Sequence, residues 1–229
     1  RLAAANARRN SKRSAATASA LTIGVMLVAG AAMFASTASE TVRGDVEEVF
    51  VADRIVRSLG MSPGMPTELA DAIADIDGVG VLPMQTADVS IDGDITAVTG
   101  LDLAAADGFL DVEVLDGAID ATSLAVGDQL AADQGWAIGD SVDITFADGT
   151  SAKLQIGAIL DEGAALEPVI APYDLVAAHG IGLDRLLFID AGDDAIAAVE
   201  AITDQMPTAT VETVSELSDA IAGTFDTLL

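Results

Sequence analysis

The sequence predicts an α+β fold behind a single membrane-spanning helix, on three observations. Ser14 to Ser39 carries no charged residue; five of the ten basic side chains precede this run and all 37 acids follow it. Two strand-helix-strand patterns, one early and one late, flank a long segment of short alternating strands punctuated by glycine. Aromatic residues make up only 3% of the chain, so the core is aliphatic.

The spanning helix follows from length and desolvation. About 20 uncharged, mostly apolar residues cross a bilayer core about 30 Å thick at about 1.5 Å per residue. Thr17 to Ala38 meets that requirement, with its apolar centre at Leu21–Phe34. Gly and Ala dilute this centre, and Ala16, Ala20 and Gly24 recur at spacing four as a small-residue stripe that lets another helix approach closely. Arg1, Arg8, Arg9, Lys12 and Arg13 place residues 1–13 on the cytoplasmic side and everything after Glu40 outside. A secretory signal peptide is the alternative, since a basic start, an apolar stretch and small residues at Ser36 and Ala38 fit a cleavage pattern. Against it stand the length of the uncharged run and a start other than Met, which suggests a piece of a longer polypeptide with further spans.

Beyond the span, residues 40–229 hold five basic and 37 acidic side chains, a formal charge of −32. Such a surface repels polynucleotides and anionic headgroups, which excludes nucleic acid as a partner. The absence of Cys allows an oxidising exterior but no disulfide framework and no thiolate metal site.

Val42, Val46, Val49 and Phe50 keep a helical spacing, so the span continues outward as an amphipathic stalk, and a strand follows near Ala52 to Arg57. Pro66 suits the first turn of a helix that runs to Asp75 with Leu69, Ala72, Ile73 and Ile76 on one face. Val79 to Ile91 supplies one or two strands, broken near Pro83. The pattern returns late, as a strand at Leu186–Ile189, a helix over Asp193–Gln205 and a strand over Thr208–Val214. Two such units with one insertion are what a split ferredoxin-like βαβ sheet produces. The expected division is 1–13 cytoplasmic, 14–38 span, 39–61 stalk and first strand, 62–95 first βαβ part, 96–173 inserted β-rich subdomain, 174–214 second βαβ part, and 215–229 a helix leading to a second span.

Within the insertion, Val142, Ile144 and Phe146 alternate with polar residues, Ala147-Asp148-Gly149-Thr150 makes a turn, and Leu154, Ile156 and Ala158 alternate back, which predicts a hairpin. Thr213-Val214-Ser215-Glu216 fits a capping box that opens the last helix, with Leu217, Ile221, Phe225 and Leu228 on one face.

Catalytic patterns are missing. His179 is the sole His, and neither a Cys/His pair nor a multi-His metal site can be built. No phosphate-binding loop is present, so the chain does not itself hydrolyse ATP. Asp92-Gly93-Asp94, Asp75-Ile76-Asp77-Gly78 and Asp190–Asp194 lack the alternating ligands and closing Glu of a calcium loop and read as turns. No cofactor or metal is expected in this chain.

Arg1-Leu2-Ala3, Asn6 to Asn10 and Lys12 to Gly24 resemble the opening of a membrane half in FtsX-like permeases of ABC transporters, most similarly the second half of duplicated permeases. Gly135-Trp136-Ala137-Ile138-Gly139-Asp140-Ser141-Val142, the Asp148-Gly149 turn and Leu154 to Ile159 resemble the rhythm of a MacB-like core domain, with Ala158 where that rhythm has Gly. The resemblance implies a non-catalytic permease subunit in the cell membrane, embedded in lipid with the remaining spans of the same permease. It further implies a separate cytoplasmic ABC ATPase that binds the ATP, and an outer domain moved for export, extraction or signalling, with the substrate undefined. The transmitting surfaces are then Val42, Val46 and Val49 on the stalk and Leu217, Ile221 and Phe225 on the last helix. Two other classes remain: a membrane-anchored or secreted binding module without an ATPase, and an acid-catalysed hydrolase, which requires two facing carboxylates, one with a raised pKa.

Overall fold

The computed structural model describes residues 11–60, 62–161, 163 and 165–226, with side chains described between 15 and 223. In chain order its helices are α1 (Ser11–Val49), α2 (Thr67–Ala74), α3 (Asp128–Gln134), α4 (Tyr173–His179), α5 (Asp193–Thr203) and α6 (Val214–Asp226). Its strands begin with β1 (Arg54–Ser58), β2 (Met65–Pro66), β3 (Val79–Ile91), β4 (Asp94–Gly100), β5 (Val114–Gly117) and β6 (Leu124–Gly127). They continue with β7 (Ser141–Phe146), β8 (Ser151–Leu160), β9 (Val169–Ala171), β10 (Leu183–Asp184), β11 (Leu186–Ala191) and β12 (Ala209–Glu212).

One continuous 39-residue helix joins the uncharged run to the stalk, a length of about 58 Å. It is long and apolar enough over Ala15–Val49 to cross a membrane.

The βαβ halves assemble into one antiparallel sheet of order β12-β1-β11-β3. This is the split βαβ arrangement, in which β11 inserts between the two strands of the first unit. Period-two alternation sends side chains to opposite faces. Val56, Leu187 and Ile189 pack beneath α2 and α5 with Leu69, Ile73, Ile196 and Val199. Ile55, Leu82 and Phe188 point the other way, into a cluster that includes Val46 and Leu217 of the helices α1 and α6. Full burial of an Ile or Phe is worth about 1.5–3 kcal/mol, so both faces of the sheet are anchored.

The inserted region closes on itself. Pairing runs β3 to β4, β9, β6, β8, β7 and back to β3, a small barrel. Val89, Val98, Leu124, Val126, Ile144, Phe146 and Ile156 fill it. The predicted hairpin forms its β7–β8 edge, with Thr145 opposite Ser151. Helix α4 lies across β3 and β4 and buries Val176 completely. That approach needs Gly100, because a Cβ there would sit 2.5 Å from Cβ of Val176.

The expected break near Pro83 is absent: β3 runs unbroken from Val79 to Ile91. Pro83 sits opposite Leu187 of β11, and pairing with β4 begins only at Gln85, so at Pro83 the strand has a neighbour on one side alone. A proline is tolerated at such an edge position. The first half of β3 thus pairs in the sheet with β11 and the second half in the barrel with β4 and β7, so one strand serves both.

Where they meet, a polar network is buried. Asp184 is wholly inaccessible and Gln85 nearly so. The Tyr173 hydroxyl donates to Asp184 Oδ1 at 2.7 Å and Gln85 Nε2 donates to the same oxygen at 3.0 Å. Asp184 Oδ2 has no hydrogen-bond partner. Burial, with a smaller contribution from the charge of Asp71, pushes this carboxyl above its usual range.

Candidate functional site

The geometry that unites the sequence-nominated residues is the base of the molecule, where α6 returns alongside α1. Helix α6 starts on a complete capping box. The Glu216 N–H donates to Thr213 Oγ1 at 3.2 Å, and the Thr213 N–H donates to Glu216 Oε2 at 2.8 Å. That bond and the one from the Thr213 hydroxyl hold the Glu216 carboxyl below its usual range.

Val46 and Leu217 are buried at 2% and 3% exposure, with Val42, Val49 and Ile221 packed around them. Sequence reasoning placed these five on two separate helical faces, and the structure brings the faces together. Three polar ties run along the same seam. The Ser39 hydroxyl donates to the Ala222 carbonyl at 3.3 Å, Arg43 pairs with Asp219 at 2.7 Å, and the Ser218 hydroxyl donates to Glu47 Oε1 at 2.9 Å. Ser218 is fully buried, and its one hydroxyl proton has two acceptors within reach, Glu47 Oε1 and the Ser215 carbonyl at 3.0 Å. The side chain of Phe225 lies outside the described residues.

The upper end of the stalk is fixed in the domain by residues that the periodicity did not single out as partners. Phe50 is 3% exposed and meets Phe188 of β11 edge to face, with ring centroids 4.8 Å apart. Phe50 also bridges to Leu110, the Asp111 N–H donates to the Val49 carbonyl at 2.8 Å, and the Val51 N–H donates to the Phe109 carbonyl at 3.0 Å. One apolar cluster therefore runs from Val46 and Leu217 through Phe50 to Phe188 of the sheet and to Ala125, Ala158 and Ile170 of barrel strands. The aromatic pair was foreseeable only in part: Phe50 follows the stalk spacing, while nothing local links it to Phe188.

Ala16, Ala20 and Gly24 stay on the exposed length of α1. A Cβ added at Gly24 meets nothing within 4 Å. No described element packs on this stripe in the structure.

Beside the stalk, a cleft of about 140 Å³ separates α1 from the barrel, and Asp45, Glu48, Asp111, Glu113, Asp161 and Glu167 line it. Among the described residues no group of three or more His, Asp or Glu side chains has an arrangement suited to a metal ion. The carboxyl with the raised pKa, Asp184, lies in the buried network and not in this cleft. His179 stands on the barrel, its Nδ1 3.0 Å from Asp148 Oδ2 and its ring 5.4 Å from that of Phe146. Asp148 carries a lowered pKa, first because the Thr150 N–H donates to it and then because of His179. Asp120, capped by Ser123 and Thr122, is lowered to about 2. These carboxylates order turns.

No protein-family profile matches the chain. No curated protein matches it in sequence. Solved structures do match in shape. The periplasmic region of MacB from Actinobacillus actinomycetemcomitans aligns with a TM-score of 0.52 at 11% identity, over 77% of this chain and 94% of that one. The extracellular domain of the noncanonic ABC-type transporter YknZ from Gram-positive bacteria aligns with a TM-score of 0.49 at 12% identity, over 69% and 98%. The fold is therefore that of the periplasmic region of MacB, carried here behind an N-terminal apolar helix.

Proposed function

We propose that the chain is part of an ABC transporter permease subunit of the FtsX-like kind, and that its outer domain is moved mechanically by the spanning helices. The observation that carries this reading is the continuous core from the α1–α6 seam through Phe50 to Phe188. A rigid helix seated in a close-packed core passes displacement to that core, since packed interiors compress little. The uncharged run of α1 sits in the bilayer with its basic start in the cytoplasm and the acidic domain outside. The fold shared with the MacB periplasmic region supports the same placement. A separate cytoplasmic ATPase supplies the energy, consistent with a sequence that has no phosphate-binding loop. The remaining spans complete the permease, and the small-residue stripe Ala16, Ala20, Gly24 is the surface for one of them.

These 229 residues hold no cysteine, and any cysteine elsewhere in the permease or the ATPase is replaced before the pair is introduced. The Ser39 hydroxyl touches the Ala222 backbone, which places those backbones close together. In the intact permease with its ATPase, Ser39→Cys combined with Ala222→Cys is oxidised to lock the seam. The expected result is the same ATP turnover in the oxidised and reduced forms, because the seam moves as one body. Loss of turnover on locking, restored by dithiothreitol, overturns the reading.

A further inference from the structure

A second cleft, of about 370 Å³, lies between the end of β1 and α6. Arg57, Ser58 and Arg185 form one wall, and Leu217, Ala220 and Ile221 form the other. No carboxylate lines it, in a region that carries 37 acids against five basic side chains. The clefts beside the stalk and beside Tyr173 both have acidic walls, with Asp45 and Glu48 in the first and Asp102 and Asp174 in the second.

The two arginines differ. Glu212 holds Arg57 in a bidentate pair, at 2.6 Å to Nε and 2.9 Å to Nη2. Arg185 is exposed, and its side chain makes no ion pair with a described residue. Its neighbour Asp184 is buried behind it in the Tyr173–Gln85 network and leaves the guanidinium uncompensated at the surface. Two acids of α6 adjoin this wall in sequence, and both are engaged elsewhere: Asp219 by Arg43 on the α1 seam and Glu216 by Thr213 in the helix cap.

Height above the bilayer is set by the seam. Ser39, the last residue of the uncharged run, touches Ala222, so Ile221 and Ala220 stand at the level where the span ends. One end of the cleft, at Ile221, therefore stands near the level where the span ends, and the other, at Leu217, is level with the outer part of the stalk, with a cation on one wall and an apolar helix face on the other. The exposed Leu59 next to Ser58 adds apolar surface at the same edge.

We infer that this cleft binds the phosphodiester headgroup of an anionic membrane phospholipid, with Arg185 as its principal charge and the α6 wall beside the acyl chains. The inference rests on the proposed membrane span of α1. The overall negative charge does not forbid it, because exposed charges farther than about 8–10 Å away are screened at physiological ionic strength. Occupancy ties the rim of the sheet to the bilayer and so limits how far the domain tilts when the stalk moves.

The test uses the full chain reconstituted into vesicles of phosphatidylcholine alone or with phosphatidylglycerol, and Arg185→Gln, whose exposed side chain can change without loss of the fold. Flotation with phosphatidylcholine vesicles reads the span; failure to float there refutes the span and leaves headgroup binding to be measured separately. Binding of dihexanoyl-phosphatidylglycerol by the chain in detergent reads the cleft. We expect saturable binding that Arg185→Gln weakens about fivefold, as for loss of one arginine at a membrane surface, with flotation unchanged. Equal affinity for the phosphatidylcholine analogue, or no effect of Arg185→Gln, overturns the inference. Competition by inorganic phosphate at matched concentration also overturns it, since the cleft is then a free-anion site.

Discussion

Between Leu21 and Phe34, α1 leaves every large apolar side chain more than half exposed, from Ile23 at 58% to Phe34 at 77%. From Ala35 onward the same helix buries Ala35, Ser39 and Val46 on one stripe, continued by Phe50 just past its end, and presents charge elsewhere. The first half is apolar all round and suits a lipid solvent; the second is one-sided and suits a protein partner. The contrast separates a length suited to lipid from a length packed against protein, and the change falls between Phe34 and Ser39.

The largest test of that contrast is a carboxylate moved along the helix. Val46→Asp buries an unpaired charge in the seam, and the outer domain is expected to lose about 3–5 kcal/mol in a denaturant titration. Val25→Asp leaves that titration unchanged and instead disfavours membrane insertion by about 3 kcal/mol, read by glycosylation mapping. Equal effects of the two substitutions on domain stability would erase the division. Next in size is Phe50→Ala, which removes the ring from Phe188 and opens a cavity at the stalk's seat. We expect a loss of about 3–4 kcal/mol by the same titration.

Smaller effects sharpen the packed half. Thr213→Ala removes the cap of α6 and is expected to cost about 1 kcal/mol. That cap is also pH dependent. The Glu216 carboxyl is lowered in the fold, so its contribution is present above its ordinary value and disappears as pH falls through the lowered one. Melting curves of the parent and Glu216→Ala should therefore approach each other in acid, while the bond from the Glu216 N–H to Thr213 Oγ1, which does not titrate, keeps part of the Thr213→Ala difference. The smallest change is Arg43→Ala. Its pair with Asp219 is exposed at 41% and 65%, so we expect under about 0.5 kcal/mol, vanishing in high salt.

Much of this was legible because the signals are local. The hairpin from Ser141 to Leu160 shows period-two alternation around an Asp-Gly turn, and it folds as read. The box from Thr213 to Glu216 closes with all four residues where the spacing puts them. The valines of the stalk face inward because their spacing is helical. The barrel was not legible as a barrel. Its closure depends on β4 pairing parallel with β9 and β6 pairing parallel with β8, and no turn residue records partners so distant. Pro83 misled in the same way, since its effect depends on whether a strand lies on its second side.

From the sequence alone came the uncharged run, its basic flank, the acidic exterior and the types of the elements, all fixed by hydropathy, charge and short-range periodicity. Tertiary structure alone decided that the two valine- and leucine-bearing faces meet, that Phe50 reaches Phe188, that Asp184 is sealed inside, and that Arg57 and Arg185 share a cleft without acids. Each of these needs side chains far apart in the chain to arrive at one place, and only the packed sheet and its helices specify that distance.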